Sequence, residues 1–540
     1  PAHIRGRARR QWWTDQIGYL LEESTFFANQ HAHPNLTTCF ADCAQRFGAN
    51  TPLLAEFPSR RLTYRQTFTA AVALGSVFAK QHAQQSYVGL LLPSSVGAAV
   101  CYYALLFQRM TPVLLNPSNG VTQMLSACHT ATLDTVYTSE RLLQRSPATV
   151  TAVAALKQAG IKVVLLEELR QQITLPIKLN ALVAGWRMPV AVRRLPGYHA
   201  AGDEHASILF TSGSEGVPKG VVLSHGNIST NALQVLARLD VTQTDIMLNA
   251  LPVFHAFGLL AGVVLPVMTG TEVYQYPSPL HYKMVAEAVY NSNATIFFST
   301  NTFLSNYGKV AHAADFKRLR LVFAGAEKLQ DETRQLWANK FGVRLLEGYG
   351  VTEASPVLAV NSPLYNKSGT VGRLLPGITA HLQAVESIKQ GKRLLVRGDN
   401  IMQGYFLAEA PGQLQAPPEG WHDTGDIVNI DDDNYITISG RVKRFIKVAG
   451  EMVPLDSVEE HLRQHWQQGL FAAVGIPDKK RGESLVLMTT VELHREDISQ
   501  QLKQAGLPEL WLPREIRVVK EIPLLSTGKV DYPAVEKAFR

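Results

Sequence analysis

Short apolar runs separated by stretches of helical period recur along most of this chain. Val88-Gly-Leu-Leu-Leu92, Pro112-Val-Leu-Leu115, Lys162-Val-Val-Leu-Leu166, Ser207-Ile-Leu-Phe210, Thr295-Ile-Phe-Phe298, Leu319-Arg-Leu-Val-Phe323 and Val343-Arg-Leu-Leu346 are all apolar or β-branched runs of strand length. Such runs, alternating with helical segments, predict an α/β protein with mostly parallel, buried strands. Residues 35–47 predict a helix closed by Gly48, and Leu62-Thr63-Tyr64-Arg65 opens the alternation. The most apolar stretch, 88–107, is broken by Pro93, Ser94 and Ser95, so it reads as strand, loop and helix rather than the ~20 apolar residues of a membrane span.

From about residue 369 the texture changes to short strands with turn residues such as Gly372, Pro376, Gly377, Gly391, Gly398 and Gly404, which predicts a β-rich subdomain over 369–440. The last stretch, 441–540, carries strands of its own, clearest at Phe471-Ala-Ala-Val-Gly-Ile476 and Ser484-Leu-Val-Leu-Met-Thr-Thr490. The expected architecture is therefore a large N-terminal α/β domain of mostly parallel sheets packed with helices over 36–440, including the β-rich part. A small α+β domain follows over 441–540, and a basic segment, 1–35, precedes both. Residues 175–198 interleave Lys178, Arg187, Arg193 and Arg194 with Leu179, Leu182, Val183, Trp186, Met188 and Val190. Such a stretch can lie on an anionic membrane surface. Pro176, Pro189 and Pro196 would interrupt a long interfacial helix, so the expectation is a solvated loop and a packed helix between elements of the fold.

Composition narrows the class. With 540 residues, 46% hydrophobic and 18% charged, the chain is an ordinary folded protein of more than one domain and not a disordered or collagen-like one. Cys39, Cys43, Cys101 and Cys128 accompany no CxxC pair or Cys/His cluster, which argues against a disulfide framework or structural zinc. Cys39 and Cys43 are expected as small buried side chains on one helix face. The start, with Arg5, Arg7, Arg9, Arg10, Trp12 and Trp13, lacks the apolar stretch of a secretory signal. A net charge of +7 is too small an excess to imply nucleic acid, yet it permits an acidic partner.

Five short motifs carry chemistry. Thr211-Ser212-Gly213-Ser214-Glu215-Gly216-Val217-Pro218-Lys219-Gly220 follows an apolar strand, and phosphate binding asks for this composition: glycines that let backbone N–H groups approach, hydroxyl donors and a lysine. It is not a Walker A loop, because Pro218 and Gly220 flank Lys219. Glu347-Gly348-Tyr349-Gly350-Val351-Thr352-Glu353 fails as a dinucleotide fingerprint, since Glu353 stands at the third glycine's place; a carboxylate there suits Mg²⁺ beside phosphates, or a plain turn. Asp423-Thr424-Gly425-Asp426 offers two carboxylates in a tight turn, for a ribose diol or for capping. Gly440-Arg441-Val442-Lys443-Arg444-Phe445-Ile446-Lys447 is a basic strand entry, and Leu525-Ser526-Thr527-Gly528-Lys529-Val530-Asp531 sets a lysine on a Gly/Ser/Thr turn.

Taken together, in this order, these motifs resemble the core motifs of the adenylate-forming superfamily of acyl-CoA synthetases, luciferases and peptide-synthetase adenylation domains, over roughly residues 36–540. Leu251-Pro-Val-Phe-His255-Ala-Phe-Gly258, Tyr276-Pro-Ser-Pro-Leu-His281-Tyr282 and Gly325-Ala-Glu-Lys-Leu329 look most like the acyl-[acyl carrier protein] synthetase half of the bacterial bifunctional 2-acylglycerophosphoethanolamine acyltransferase/acyl-ACP synthetase. In that family an acyltransferase half with a His-x4-Asp motif comes first. Residues 1–35 lack the motif, and Arg9-Arg10, Trp12-Trp13 and the helix ending at Phe47-Gly48 resemble the tail of that half, so the acyltransferase domain is expected to be missing from this chain.

The resemblance implies two half-reactions: a fatty carboxylate attacks the α-phosphorus of ATP to give acyl-AMP and pyrophosphate, and the phosphopantetheine thiol of acyl carrier protein, or of coenzyme A, then takes the acyl group. It implies ATP and Mg²⁺ as cofactors. Thr211, Ser212, Gly213, Ser214, Gly216 and Lys219 would cradle the β,γ-phosphates, Thr352 the α-phosphate, and Glu353 the metal. Gly325, Ala326, Glu327 and the Glu347, Gly348, Tyr349 and Gly350 run would enclose adenine, with Tyr349 stacked on it; Asp426 and Arg441 would bind ribose. His255 would border the acyl carboxylate, and Phe254 and Phe257 would line the chain pocket. Lys529 would neutralise charge during adenylation, Lys443 would be the hinge of a mobile C-terminal domain, and Gly450 would leave room for pantetheine. Many thioester-forming relatives have Arg where this chain has Met452, which leaves Lys447 as the phosphate partner from that strand. Arg441, Lys443, Arg444, Lys447, Lys479, Lys480 and Arg481 would form a face for the acidic carrier protein. The resemblance implies a bacterial cytoplasmic enzyme without nucleic-acid partners, with peripheral contact at the inner membrane left open.

Overall fold

The computed structural model describes the chain except for residues 1–5, 31–34, 58–59, 213–217, 386–387, 389–390, 449–450, 467–468, 479–481 and 525–528, and the side chains of Ala8, Gln11, Ser212 and Lys443. The described chain is mixed α/β and divides into two compact units. The larger comprises residues 1–368, 372–378 and 397–420; the smaller comprises 369–371, 379–396 and 421–540. The stretch expected as one β-rich subdomain, 369–440, is thus shared between them.

The larger unit is built on two sheets. The first runs in spatial order Arg373–Leu374, Val357–Val360, Leu345–Gly350, Leu321–Ala324, Ile296–Ser299, Ile246–Asn249, Glu272–Gln275, Pro52–Glu56 and Arg60–Thr63. The second runs Ala410–Gln415, Gly404–Leu407, Pro218–Ser224, His205–Ser212, Thr111–Leu114, Tyr87–Leu90, Thr135–Thr138 and Lys162–Leu165. Their centres are parallel; both edges of the first sheet and the 404–415 edge of the second are antiparallel, while Lys162–Leu165 at the second sheet's other edge pairs in parallel. Buried strands such as Leu321–Ala324 and Thr135–Thr138 have no exposed face, so they show no alternation of apolar and polar residues.

Local signals act as expected at several ends. The helix Leu36–Phe47 begins at Asn35, whose side chain accepts from the Thr37 and Thr38 amides, and stops at Gly48 with φ 99°. Cys39 and Cys43 are buried in it, and both are free thiols. Residues 88–107 resolve into the strand Tyr87–Leu90 and the helix Val96–Phe107 capped by Ser95. No helix among the described residues is long and apolar enough to cross a membrane.

The basic start is a helix, Gly6–Asn29, which packs on the helix His225–Arg238. The two are joined by a buried clasp. Arg238, 2% exposed, bonds Glu22 at 2.5 Å, and its guanidinium also donates to the Val360, Arg373 and Leu374 carbonyls at 3.0–3.2 Å. Burial pushes the Glu22 carboxyl up, and the guanidinium opposes that shift.

In the smaller unit, Thr379–Gln383, Lys392–Arg397, His422–Ile430 and Ile436–Arg441 form one sheet; Glu451–Pro454, Phe445–Val448, Gly482–Thr489 and Phe471–Asp478 form another, with Glu515–Val518 added to it. The second sheet packs the helix Leu455–His465 through Val458, Leu462, Phe471 and Leu487. Arg444 lies in this core's polar seam: it donates to Asp456 at 2.8 Å and Glu459 at 2.6 Å, beneath the Tyr532 ring. The expectation that Arg444 belongs to an open basic face is therefore corrected, because its charge is neutralised within the fold.

Candidate active site

In the larger unit the glycine-rich segment joins two antiparallel strands, His205–Ser212 and Pro218–Ser224, in the register Thr211 to Lys219 and Ser212 to Pro218. The two strands pair as antiparallel arms on either side of residues 213–217, a hairpin as far as it is described. Gly213, Ser214 and Gly216 lie outside the described residues, but the hairpin fixes their two ends: Thr211 and Lys219 face each other across the ladder. The strand Gly404–Leu407 pairs on the far side of Pro218–Ser224, setting Tyr405 opposite Val221. The Lys219 ammonium sits 5.4 Å from the centroid of the Tyr405 ring, and the Tyr405 hydroxyl donates to Glu353 Oε1 at 2.7 Å. Lysine, phenol and carboxylate thus form one row.

Glu353 is held from behind as well. It belongs to the one-turn helix Thr352–Ala354, and the Met402 amide donates to its carbonyl at 2.8 Å. Asn400 donates to the Ala354 carbonyl at 2.9 Å, and the Ser355 hydroxyl donates to the Asn400 carbonyl at 2.9 Å. Gly350 permits this packing, since a Cβ there would lie 2.0 Å from the Pro356 carbonyl oxygen.

Beside this row opens an apolar cavity. Its walls include Val235, Phe257, Leu260, Phe298, Tyr349 and Val357, and Gly350 and Pro356 of the same wall bracket Glu353 in sequence. Its free volume is about 80 Å³. Phe257 reaches Gly325 closely enough that a Cβ there would meet its ring at 3.0 Å. Tyr349 is buried in this wall. Phe254 is not: it lines a separate small cleft with Leu90, Tyr102 and Leu114, its ring 4.9 Å from that of His255, which caps the turn Ala256–Leu259. The two phenylalanines expected in one pocket therefore sit in two places.

The remaining expected residues of this unit are held by neighbours the motifs did not name. Glu327 accepts from the Thr302 amide at 3.0 Å and its hydroxyl at 2.7 Å, anchoring the turn in which Ala326 takes φ 67°. Glu347, buried, accepts from Arg334 at 2.8 Å. Tyr405 is the one member of the row that sequence reasoning missed; its signal was the short apolar run Tyr405-Phe406-Leu407 behind Gly404.

The smaller unit contains the other expected residues. Asp423 to Asp426 is not a free turn but the start of the strand His422–Ile430, with a register shift against Lys392–Arg397 and Gly425 at φ 70°. Asp426 pairs in register with Arg441 on the next strand, and their side chains bond at 2.9 Å. Asp426 is 2% exposed and Arg441 61%, so the carboxylate is fixed and the guanidinium open. Asp423 instead bonds Arg393. Lys447 lies exposed on Phe445–Val448, its amide bonded to Glu483 at 2.7 Å. Lys529 follows the undescribed 525–528 and precedes Val530, which bridges back to Leu524. Gly450 and the trio Lys479, Lys480 and Arg481 lie outside the described residues.

Residues 40–406 match the model of the AMP-binding enzyme family, and 457–529 match the model of the AMP-binding enzyme C-terminal domain. The chain belongs to the AMP-binding enzyme family. It is 28% identical over 348 residues to a medium-chain fatty-acid–CoA ligase of Escherichia coli K12, a match covering 61% of this chain and 60% of that protein. It is 24% identical over 558 aligned residues to a long-chain-fatty-acid–CoA ligase of Bacillus subtilis, covering 95% of this chain and 97% of the relative. In fold it is similar to ATP-bound MatB from Rhodopseudomonas palustris, with a TM-score of 0.77 at 21% identity over 94% of this chain and 99% of that one.

Proposed function

We propose that this protein is an AMP-forming ligase that activates a fatty acid with ATP and passes the acyl group to the phosphopantetheine thiol of acyl carrier protein. The observation that carries the reading is the row Lys219, Tyr405 and Glu353 beside an apolar cavity. A carboxylate is a poor acyl donor at neutral pH, and esterification to AMP gives it a good leaving group. Catalysis of attack on phosphorus is chiefly positioning and charge neutralisation. The hairpin strand Pro218–Ser224 supplies the Lys219 ammonium for phosphates, next in sequence to the glycine-rich residues assigned to them, and the cavity supplies an apolar channel for an alkyl chain.

Glu353 suits Mg²⁺, which prefers one or two carboxylates together with phosphate oxygens. One of its oxygens accepts from a neutral hydroxyl, so its charge is not cancelled by that partner. When bound, the metal would draw charge from the phosphate oxygens. Thr352, next to Glu353, is assigned to the α-phosphate. Asp426, buried and set beside Arg441, is assigned to the ribose hydroxyls, and Lys529 to the charge that grows as the carboxylate attacks. Coenzyme A is the second reading for the acceptor, favoured by the names of the relatives above.

The test uses the full chain with ATP, Mg²⁺ and a palmitate-like acid, comparing carrier protein with coenzyme A as acceptor. Faster transfer to coenzyme A would replace the first reading with the second. Lys529→Ala should reduce pyrophosphate release by roughly 10²–10³-fold while sparing transfer from supplied acyl-AMP. Pyrophosphate release within a few-fold of the parent would remove Lys529 from the adenylation step.

A further inference from the structure

The helix Leu175–Trp186 is amphipathic in the wrong sense for a surface helix. Its inward residues are small: Ala181 and Gly185 are buried, and a Cβ on Gly185 would lie 2.1 Å from the Thr69 hydroxyl of the helix Tyr64–Gln81. Its outward residues are large and apolar. Leu175, Leu179, Leu182, Val183 and Trp186 recur at helical spacing, and all are at least half exposed, Trp186 at 73%. Of the expected solvated loop and packed helix, the helix is present: the segment is docked, and it turns its greasy side out. Isolated exposed leucines need no explanation, but a contiguous stripe does.

The stripe is held rigidly. Gly185 sets one end against Tyr64–Gln81, and Arg65 covers the inner side of the Trp186 ring at 4.3 Å. At the other end Gly197 lies so close to the Leu106 carbonyl that a Cβ would approach it to 1.9 Å, and Asn35 donates to the Ala200 carbonyl at 2.8 Å. Along the chain the neighbouring charge is of one sign. Between Glu168 and Asp203 the chain has five cations, Arg170, Lys178, Arg187, Arg193 and Arg194, and no carboxylate, and all five are exposed.

An apolar stripe with a Trp, flanked in sequence by five exposed cations, matches the chemistry of an anionic bilayer surface: acyl chains for the stripe, lipid phosphates for the lysine and arginines. The outward stripe of Gly6–Asn29, with Trp13, Ile17, Leu20 and Leu21, makes a useful contrast, because Asp15 and Glu23 share that helix and the charge is mixed. We propose that residues 175–194 seat this protein on the surface of a membrane carrying anionic lipids, with Leu179, Leu182 and Trp186 entering the headgroup region and the flanking cations on the phosphates. The seat needs neither ATP nor acyl acceptor, so it stands apart from the reaction proposed above.

The test is flotation of the full chain, without substrates, with phosphatidylglycerol/phosphatidylcholine vesicles and with pure phosphatidylcholine vesicles. Binding to the mixed vesicles should be at least roughly tenfold tighter, and should weaken with salt. Leu179→Ser with Trp186→Ser should lower it about tenfold or more. Arg193→Glu with Arg194→Glu, which alters only exposed charge, should do the same. The tryptophan emission should shift to the blue on binding, and Trp186→Phe should remove most of that shift. Equal binding to both vesicle types, or binding that both double variants leave intact, overturns the proposal. So does a wild-type dimer that the Leu179/Trp186 variant dissolves while no vesicle binding occurs, which would give the stripe to a second copy of the chain.

Discussion

Glu347 and Glu353 flank the same glycine-rich strand end, yet the fold treats them as opposites. Glu347 is buried on Leu345–Gly350 and is bonded by the Arg334 guanidinium at 2.8 Å, a charge that answers its own. Glu353, past the turn and half-buried, is bonded by the uncharged hydroxyl of Tyr405, with the Lys219 ammonium one ring further on. The first carboxylate is answered by a charge within the fold, and the second is the one we assign to a cation. The lesson is that two acids of one motif can differ in the charge of their hydrogen-bond partners, a difference that residue type and motif position do not record.

The sharpest way to break this comparison is Glu353→Gln. It should reduce acyl-AMP formation by roughly 10²-fold or more and leave the melting temperature near the parent's. A stability loss with activity retained would put Glu353 in Glu347's class. Glu347→Gln should do the reverse, costing about 2–3 kcal/mol in denaturant unfolding, less than a fully buried pair because Arg334 is partly solvated. Tyr405→Phe removes only the O–H donor to Glu353, and its expected effect is about tenfold on the adenylation rate. If that variant matched the parent in rate, the tyrosine would be packing rather than positioning.

The smallest effect calibrates the ion-paired class. Glu204 receives the Arg109 fork at 2.8 and 2.6 Å, and this holds its carboxyl down at about 2. Its folded value lies below its unfolded one, so the pair's stabilisation is present above about pH 4.5 and is lost as pH falls toward 2. Glu204→Gln should lower the unfolding midpoint slightly near neutrality, where the pair is fully formed, and flatten its fall across that window, so that parent and variant converge as pH approaches 2.

What the sequence disclosed was whatever is local. The Asn35 and Gly48 caps, the break at Pro93 and the apolar strands from Leu90 to Leu346 each depend on neighbours in the chain, and the structure has them close to where periodicity puts them. What it hid depends on residues far apart. Tyr405 reaches Glu353 only because Gly404–Leu407 pairs with Pro218–Ser224, a register no local period records. The strands Ile246–Asn249 and Glu272–Gln275 went unmarked because polar Asn249, Glu272 and Gln275 interrupt them, residues held by distant partners such as Arg61 on Glu272. The Asp423 run reads as a turn because Gly425 does have positive φ, but within a bulged strand. The outward stripe of Leu175–Trp186 shows a helical period, and period alone cannot say which face is inside.

The Arg238 clasp redraws the boundary of what folds as one piece. The family match begins at residue 40, yet Arg238 lies almost wholly out of water and answers to Glu22, on a helix upstream of that match. A version trimmed to the family's limits would keep the guanidinium and its three carbonyl partners while deleting its counter-charge, leaving a cation sealed beside the cavity wall at Val235 and Val360. Recombinant forms of this protein should therefore start ahead of Gly6, and homologues that lack such a helix should carry a different residue at the position of Arg238.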